Sequence, residues 1–327
     1  MPPYSKIGIS NKIYGVNEEQ NAYCEIPIAT PRKFEIKYPH LLFMIYIHLA
    51  GLYGLYLCIT SAKKGTLIFS YILYYVGGFG ITAGAHRLWT HKTYKATPLF
   101  EFVLMLFNCV AYQQTVIQWV RDHRLHHKYS DTDADPHNAS RGFFYSHIGW
   151  MMVKKSDLVK ERGKTIDISD VVNNPILQFQ KKYAIPLFGV GCFILPTVIP
   201  MVCFGEELNT AWHVCIFRYA VTLNGSLLVN SLAHIYGNKP YDTNMLPTQN
   251  IFVSLLAAGE GFHNYHHAFP WDYRASEIGN MFLNPTTWFL DFCACMGWVY
   301  DLKTAKPEMV QKKMQTAGDG TNCWGFQ

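Results

Sequence analysis

The chain has 327 residues, of which 50% are hydrophobic, 15% are aromatic and only 16% are charged. Soluble domains carry about 25% charged residues, so this composition excludes a disordered chain. The net charge of +5 is too small for a protein that binds nucleic acid by electrostatics. Histidine is frequent, with 14 residues against 23 Asp and Glu together, and this ratio indicates imidazole chemistry.

Four stretches are long and apolar enough to cross a bilayer, at about 41–60, 66–85, 184–204 and 211–233. Each has about 20 residues, the length at which a helix spans roughly 30 Å of hydrocarbon. Short loops join the first stretch to the second and the third to the fourth. The pairing favours two membrane hairpins over the buried core helices of a large soluble enzyme.

Charge sets the predicted orientation, because 25 of the 28 Lys and Arg residues lie in 1–40, 86–183 and 234–327. By the positive-inside rule these segments face the cytosol. We therefore expect a cytosolic N-terminal segment 1–40, a catalytic loop 86–183, a catalytic segment 234–304 and a flexible tail 305–327. The apolar stretch 99–112 is too short to span comfortably, and we interpret it as an interfacial or re-entrant helix.

Nine histidines form four groups, in the words HRLWTH, HRLHH, NSLAHIYG and HNYHH, and span parity places all of them on the cytosolic side. They are His86, His91, His123, His126, His127, His234, His263, His266 and His267. In HxxHH the rings stand at i, i+3 and i+4, so a helix presents all three on one face. Nine imidazoles suit two metal ions. Imidazole binds iron, copper, nickel and zinc, and spacing alone does not separate iron from zinc.

These words, with flanks such as GITAGAHRLWTH and GEGFHNYHHAFPWDY, resemble the histidine boxes of the membrane acyl-CoA desaturases, the stearoyl-CoA desaturase family. The resemblance covers about residues 35–300. It implies an all-α integral membrane fold, with four transmembrane helices in two hairpins. A cytosolic helical cap would then hold a di-iron histidine cluster.

The resemblance also implies the ligands of two Fe²⁺ ions per chain. One iron would take His86, His91, His123, His127 and His266. The other would take His126, His234, His263 and His267, with Asn230 joining through water. Nearby carboxylates should orient the rings, and the candidates are Asp122, Asp131, Asp135 and Glu260. No catalytic side chain is expected beyond the metal centre.

A fatty acyl-CoA is the substrate that the resemblance implies. Its CoA head would contact Arg121, Asp122, Trp150, Lys154 and Lys155. Its acyl tail would lie in a tunnel lined or closed by Tyr74, Gly78, Gln113, Trp119 and Ser226. The alternative for the cations is a loop that faces anionic lipid, and the alternative for Tyr74 and Trp119 is ordinary helix packing.

Three features bear on the position of the double bond. Gly78 is minimal in size where the tunnel is expected to end, and Leu227 stands where vertebrate members carry Trp. Residues 246–249 read LPTQ and resemble the LPxQ signature of moth pheromone-gland desaturases that act at carbon 11. The alternative for this word is a proline-containing turn.

The sequence therefore predicts an O₂-dependent acyl-CoA desaturase of the endoplasmic reticulum membrane, with its active site and both termini in the cytosol. We expect it to act on saturated C14–C18 acyl-CoA at carbon 11 or 9, as in pheromone-precursor synthesis. The chain contains no GxGxxG, so the family's electron donors, cytochrome b5 and its NADH-dependent reductase, are expected partners. The rival hypotheses are a di-iron fatty acyl hydroxylase and a zinc-binding membrane scaffold or transporter.

Overall fold

The computed structural model describes residues 32–279 and 281–324, so most of the predicted N-terminal segment lies outside the described residues. Helices dominate this part of the chain. They are α1 (Tyr38–Thr60), α2 (Lys64–Phe79, continued by a π-helix over Gly80–Thr90), α3 (Pro98–Ala111), α4 (Val116–Tyr129), α5 (Trp150–Met152), α6 (Asp157–Lys164), α7 (Ser169–Val172), α8 (Pro175–Lys182), α9 (Ala184–Phe188, continued by a π-helix over Gly189–Ile194), α10 (Leu195–Phe204), α11 (Leu208–Ile235), α12 (Ile251–Leu256), α13 (His263–Ala268), α14 (Pro285–Cys295) and α15 (Pro307–Ala317). A 3₁₀ turn at Ala139–Arg141 and a π-helical turn at Tyr145–Gly149 precede α5.

Two short strands complete the fold. Strand β1 (Lys95–Ala96) pairs antiparallel with β2 (Val299–Tyr300), with Lys95 opposite Tyr300. This pairing joins the segment after α2 to the segment after α14. Phe289 of α14 also stacks on Phe79 at the end of α2, with ring centroids 4.4 Å apart. The C-terminal part of the chain is thereby fixed against the end of the second predicted span.

Within residues 32–279 and 281–324, three continuous helical segments are long and apolar enough to cross a membrane: Tyr38–Thr60, Lys64–Thr90 and Ala184–Phe204. The first three predicted spans lie within them. The second segment extends five residues beyond its predicted end, to Thr90, because the helix continues in π geometry. That extension carries His86 on the span itself.

The fourth predicted span, 211–233, lies inside the single helix α11, which has 28 residues. Its composition is more polar than that of the other three because it carries groups that bond inside the protein. Buried Arg218 donates to the carbonyl oxygens of Val110 and Cys192, at 3.1 and 2.7 Å. Helix α11 packs along α1, α2 and α10, and the two predicted hairpins are α1–α2 and α9/α10–α11.

Helices α3 and α4 form a bent pair with an angle of 83° between them. The turn is made by Tyr112 and Gln114, whose φ angles of 46° and 71° place both in left-handed conformations. Thr115 then begins α4, since its side-chain oxygen accepts from the backbone N–H of Gln118. The predicted interfacial or re-entrant stretch 99–112 corresponds to α3. The bend points α4, which carries HRLHH, in a new direction.

The structure differs from the flexible tail that we expected over 305–327. Helix α15 forms within it, and Val310 is buried in a cluster with Tyr241 and Tyr265. One buried valine and few other apolar residues give a weak sequence pattern. The partners of this helix lie far away in the chain, so the local sequence did not predict its packing.

Candidate active site

The nine box histidines lie in two adjacent groups at the ends of α2 and α11. The first group consists of His86, His91, His123, His127 and His266, and the second of His126, His234, His263 and His267. Within each group the ring nitrogens that could bind an ion all lie within 4.8 Å of one another. These groups contain the same histidines as the two ligand sets that the resemblance implied, and Asn230, expected to join the second set through water, borders the neighbouring cavity.

Each HxxHH helix contributes to both groups. On α4, His123 and His127 point to the first group and His126 to the second. On α13, His263 and His267 point to the second group and His266 to the first. On one broad helix face, the i+3 and i+4 positions lie on opposite sides of residue i and about 100° from each other, so the i+3 ring can serve a different group. The two helices therefore interlock the groups, and neither group is complete without both.

The pair in HRLWTH is brought together by π-helical geometry. The backbone N–H of His91 donates to the carbonyl of His86 at 3.1 Å, an i to i+5 bond that closes a π turn. The two rings consequently stand with centroids 4.9 Å apart. On an ideal α-helix the same spacing would turn them well away from each other.

Three buried carboxylates lie against the Nδ1 atoms of histidine rings and so orient these rings. His126 Nδ1 donates to Asp135 Oδ2 at 2.7 Å, and His234 Nδ1 donates to Asp131 Oδ2 at 2.9 Å. His86 Nδ1 lies 2.9 Å from Glu260 Oε2. A proton held on Nδ1 leaves Nε2 with a free lone pair. The fourth candidate, Asp122, pairs instead with Lys155.

The Nε2 atoms of different histidines lie close together, as ligands of one metal ion do. His86 and His266 bring these atoms to 3.0 Å, and so do His234 and His263. Facing lone pairs repel unless a cation lies between them. In addition, Nε2 of His91 and of His126 are buried with no hydrogen-bond partner. A set of neutral imidazoles suits a transition metal rather than calcium or magnesium.

Burial lowers the pKa of six of the nine box histidines and so favours their neutral, ligand form. It lowers the pKa of His263, His266 and His267 well below the usual value, and neighbouring imidazoles lower each pKa further. Burial alone would raise the pKa of Asp135, but His126 and His137 outweigh it and hold that pKa below its usual range. His126 is the exception among these rings: burial alone would lower its pKa, but Asp135 and Asp131 outweigh burial and raise it, so a metal ion would have to displace a proton there.

A cavity of about 600 Å³ runs beside the histidines. Its wall combines cations and Asp122, rings of the first and second histidine groups, and apolar side chains. The predicted residues that border it are Gln113, Trp119, Arg121, Asp122, Trp150, Lys155, Ser226, Leu227 and Asn230. Gln113 Nε2 donates to Ser226 Oγ at 3.0 Å across the cavity wall. Trp119 stacks on His123, with ring centroids 4.7 Å apart.

Three of the predicted substrate residues lie apart from this cavity. Lys154 points outward and pairs with Glu35 at 2.8 Å. The hydroxyl of Tyr74 donates to the carbonyl of Leu256. Gly78 does not border the cavity but lies close to it. A Cβ at this position would be 4.0 Å from Ala258, and Ala257, the residue before Ala258, borders the cavity. A side chain at Gly78 would therefore project into open space close to the cavity wall.

Two site residues were missed by the sequence reasoning. His137 is buried, borders the cavity, and has its ring centroid 4.4 Å from that of His126. Its position two residues after Asp135, in DADPHN, was the available signal. Arg87 is 1% exposed and donates to Glu260 Oε1 at 3.0 Å, so it fixes the carboxylate behind His86.

Comparison of the sequence with known proteins shows the family to which this chain belongs. The model for the fatty acid desaturases matches residues 64–276. An acyl-CoA Delta(11) desaturase from Trichoplusia ni is 62% identical over 302 residues, which cover 92% of this chain and 86% of that protein. One from Spodoptera littoralis is 60% identical over 310 residues, covering 95% and 92%. A (11Z)-hexadec-11-enoyl-CoA conjugase from Bombyx mori is 54% identical over 323 residues, covering 98% of each chain. The chain therefore belongs to the fatty acid desaturase family, whose members are metal-dependent oxidoreductases with an all-α integral-membrane fold.

Proposed function

We propose that this chain is an acyl-CoA desaturase that forms a double bond at carbon 11 of a saturated C14–C18 acyl-CoA, with carbon 9 as the alternative. The observation that carries the proposal is a single one: two interlocked histidine groups border one long cavity with charged and apolar walls. The similarity to Delta(11) desaturases supports carbon 11.

Two Fe²⁺ ions, one in each histidine group, are the metals that this chemistry favours. Desaturation removes two hydrogen atoms, that is two protons and two electrons, from the substrate, and Zn²⁺ has no redox chemistry. With O₂, two electrons and two protons, the saturated chain gives one alkene and two waters. The irons would supply the power to oxidise an unactivated methylene. This requirement argues against the zinc scaffold or transporter.

The protein's own part is to hold one carbon pair beside the metals and to keep water away. Arg121 and Lys155 would hold the phosphorylated CoA head at the charged end of the cavity. The bond between Gln113 and Ser226 closes the wall around the acyl chain. The ring of Trp119, stacked on His123, would lie against the chain where it passes the first histidine group.

Electrons must come from a partner, and we propose cytochrome b5 with its NADH-dependent reductase. We also propose that the protein lies in the endoplasmic reticulum membrane, with the active site and both termini in the cytosol. The support is the charge distribution along the sequence, since 25 of 28 Lys and Arg residues fall in segments 1–40, 86–183 and 234–327, the last two of which contain all nine box histidines. His86 and His234 both lie at the C-terminal ends of their spans, and hence at the same end of the helix bundle.

Expression in a desaturase-deficient yeast, with chemical location of double bonds in the lipids, tests the proposal. We expect monounsaturated C14–C18 chains with the bond at carbon 11. A bond at carbon 9 would leave the enzyme class intact and overturn the position. Hydroxylated chains would instead support the hydroxylase, and unchanged lipids in cells that contain the protein would overturn the proposed function.

A further inference from the structure

The LPTQ segment, residues 246–249, is an internal connector. Thr248 is 2% exposed and Gln249 is 7% exposed, which an ordinary surface turn would not show. The backbone of Gln249 pairs with both Asn238 and Phe262. The segment thus lies between the end of α11 and the beginning of α13, the two helices that carry His234 and His263.

Thr248 binds the end of α11. Its backbone N–H donates to the carbonyl oxygen of Ala233 at 2.6 Å, and its hydroxyl lies within hydrogen-bond distance of two carbonyl oxygens, that of Ala233 at 2.9 Å and that of Tyr236 at 3.0 Å. The last carbonyls of a helix have no partner within the helix. Ala233 immediately precedes His234, so these bonds fix the backbone at a predicted metal ligand.

The same residue binds the beginning of α13. The carbonyl oxygen of Thr248 accepts from the backbone N–H groups of His263 and Asn264, each at 3.2 Å. These belong to the first N–H groups of that helix, which also lack helical partners. The side chain of Asn264 adds a bond to the carbonyl oxygen of Pro247, at 2.9 Å.

The segment is pressed closely against the chain that follows His234. Gly237 has a φ of +146°, and a Cβ at this position would lie 2.2 Å from the carbonyl oxygen of Gln249. Only glycine permits this approach. The glycine of NSLAHIYG and the LPTQ word therefore belong to one packed unit.

We infer that the LPTQ segment is a positioning bracket for the second histidine group. By holding both helix ends, Thr248 sets the separation of His234 and His263, whose Nε2 atoms lie 3.0 Å apart. This inference rests on the proposed function in one respect, that the second group holds a metal. It replaces the expectation that LPTQ shapes the tunnel, since these residues, all within the described chain, do not border the cavity.

The test compares three variants of the full-length protein purified in detergent. Thr248→Val keeps the shape and removes the hydroxyl, and Thr248→Ser restores the hydroxyl. Thr316→Val makes the same change at an exposed position of α15 and serves as the control. The readouts are metal per chain by elemental analysis, kcat and KM for acyl-CoA, and the position of the double bond.

We expect Thr248→Val to lose about half of the bound metal and about 10- to 100-fold in kcat, the usual effect of removing support behind a metal ligand. Its KM and double-bond position should stay unchanged, because the cavity is untouched. Thr248→Ser should recover both metal and kcat. If Thr248→Val does not accumulate, Asn264→Leu, which removes the side-chain bonds to Pro247, Tyr241 and Asp242, is expected to show the same loss of metal.

A Thr248→Val protein with full metal and unchanged kcat would overturn the inference that LPTQ is a positioning bracket. A Thr248→Val protein with full metal and a shifted double bond would overturn it too. Failure of Thr248→Ser to recover metal would also count against it, since the hydroxyl would then not be the cause. Failure of the proposed function is a separate result. In that case the wild-type protein itself makes no unsaturated acyl-CoA.

Discussion

At the scale of single residues, helical spacing assigns the three imidazoles of each HxxHH helix to two different histidine groups. His126 and His266 each occupy the i+3 position of an HxxHH helix and serve the group opposite to that of their i and i+4 neighbours. Both rings are buried, and the ring of His137, which belongs to neither group, lies 4.4 Å from that of His126.

We predict that His126→Ala or His266→Ala reduces activity to below a few per cent while leaving membrane insertion intact, because each variant removes one imidazole from a metal's ligand set. The measurements are product formation in yeast and metal content after purification. His213→Ala is the control, since His213 lies on the same helix as His234 but ~30 Å away at 1.5 Å per residue. Either variant retaining substantial activity would contradict the assignment of ligands.

Gly78→Leu tests whether the acyl chain reaches beyond the cavity wall at Ala257. We expect a shift toward shorter acyl chains of about 5- to 100-fold, from an overpacking cost of about 1–3 kcal/mol. The double-bond position should not change, because the head anchors are untouched. The measurement is the chain-length profile of unsaturated lipids in yeast.

Gly189→Leu is the matched control for this prediction, since it adds the same bulk to the third span where a Cβ meets nothing within 4 Å. An unchanged profile in Gly78→Leu would mean that the acyl tunnel does not end at this position.

Sequence reasoning identified the box histidines because their spacing is local and repeated. It missed His137 and Arg87, whose roles depend on partners elsewhere in the fold. Arg87 meets Glu260 across 173 positions, and no pattern within HRLWTH indicates that contact. The LPTQ word was recognised, but its contacts with α11 and α13 could be seen only in three dimensions.

At the scale of elements, the departures from α-helical geometry occur where the site is built. The π-helix over Gly80–Thr90 brings His86 and His91 together, and the one over Gly189–Ile194 supplies the Cys192 carbonyl that Arg218 binds. The apolar composition of the sequence predicted the spans. No comparable sequence pattern predicted which parts of them are π-helical. The long polar helix α11 was still recognisable because its polar residues are spaced among apolar ones.

Helix α15 gives a prediction for the C-terminal part of the chain. Val310→Asp should release the helix, because it places a charge among buried aromatic rings in exchange for about 1.5–3 kcal/mol of apolar burial. Trypsin should then cleave at Lys312 and Lys313 about tenfold faster or more. Met309→Asp changes the neighbouring residue, which is 46% exposed, and trypsin should cleave this variant at the same rate as the wild type. Equal rates in the wild type and Val310→Asp would show that the tail is not held.

At the scale of the whole molecule, the topology and the site are parts of one arrangement. Hairpins α1–α2 and α9/α10–α11 have short connections at one end, and the histidines, the cavity and most cations lie at the other. A charged CoA head could remain in water there while its acyl chain enters an apolar cavity. Span parity predicted that the box histidines share one end of the bundle, where the structure brings them together, whereas no local pattern predicted how the cap packs.

The topology predicts that protease added to sealed microsomes cleaves both termini and the 86–183 loop, and spares the short loops 61–63 and 205–207. Epitope tags at the two termini would report the cleavage. Detergent-opened microsomes provide the control, in which all exposed sites become accessible. A protected C-terminus in sealed microsomes would mean that the chain crosses the membrane an odd number of times after the catalytic loop.

The central claim is that the histidine centre removes two hydrogens from an acyl-CoA. The most direct test incubates the purified, iron-loaded protein with palmitoyl-CoA, O₂, cytochrome b5, its reductase and NADH, and determines the mass of the acyl product. The account predicts a product lighter than palmitoyl-CoA by two hydrogen atoms. A product heavier by one oxygen atom, or no product from protein that retains its iron, would contradict it.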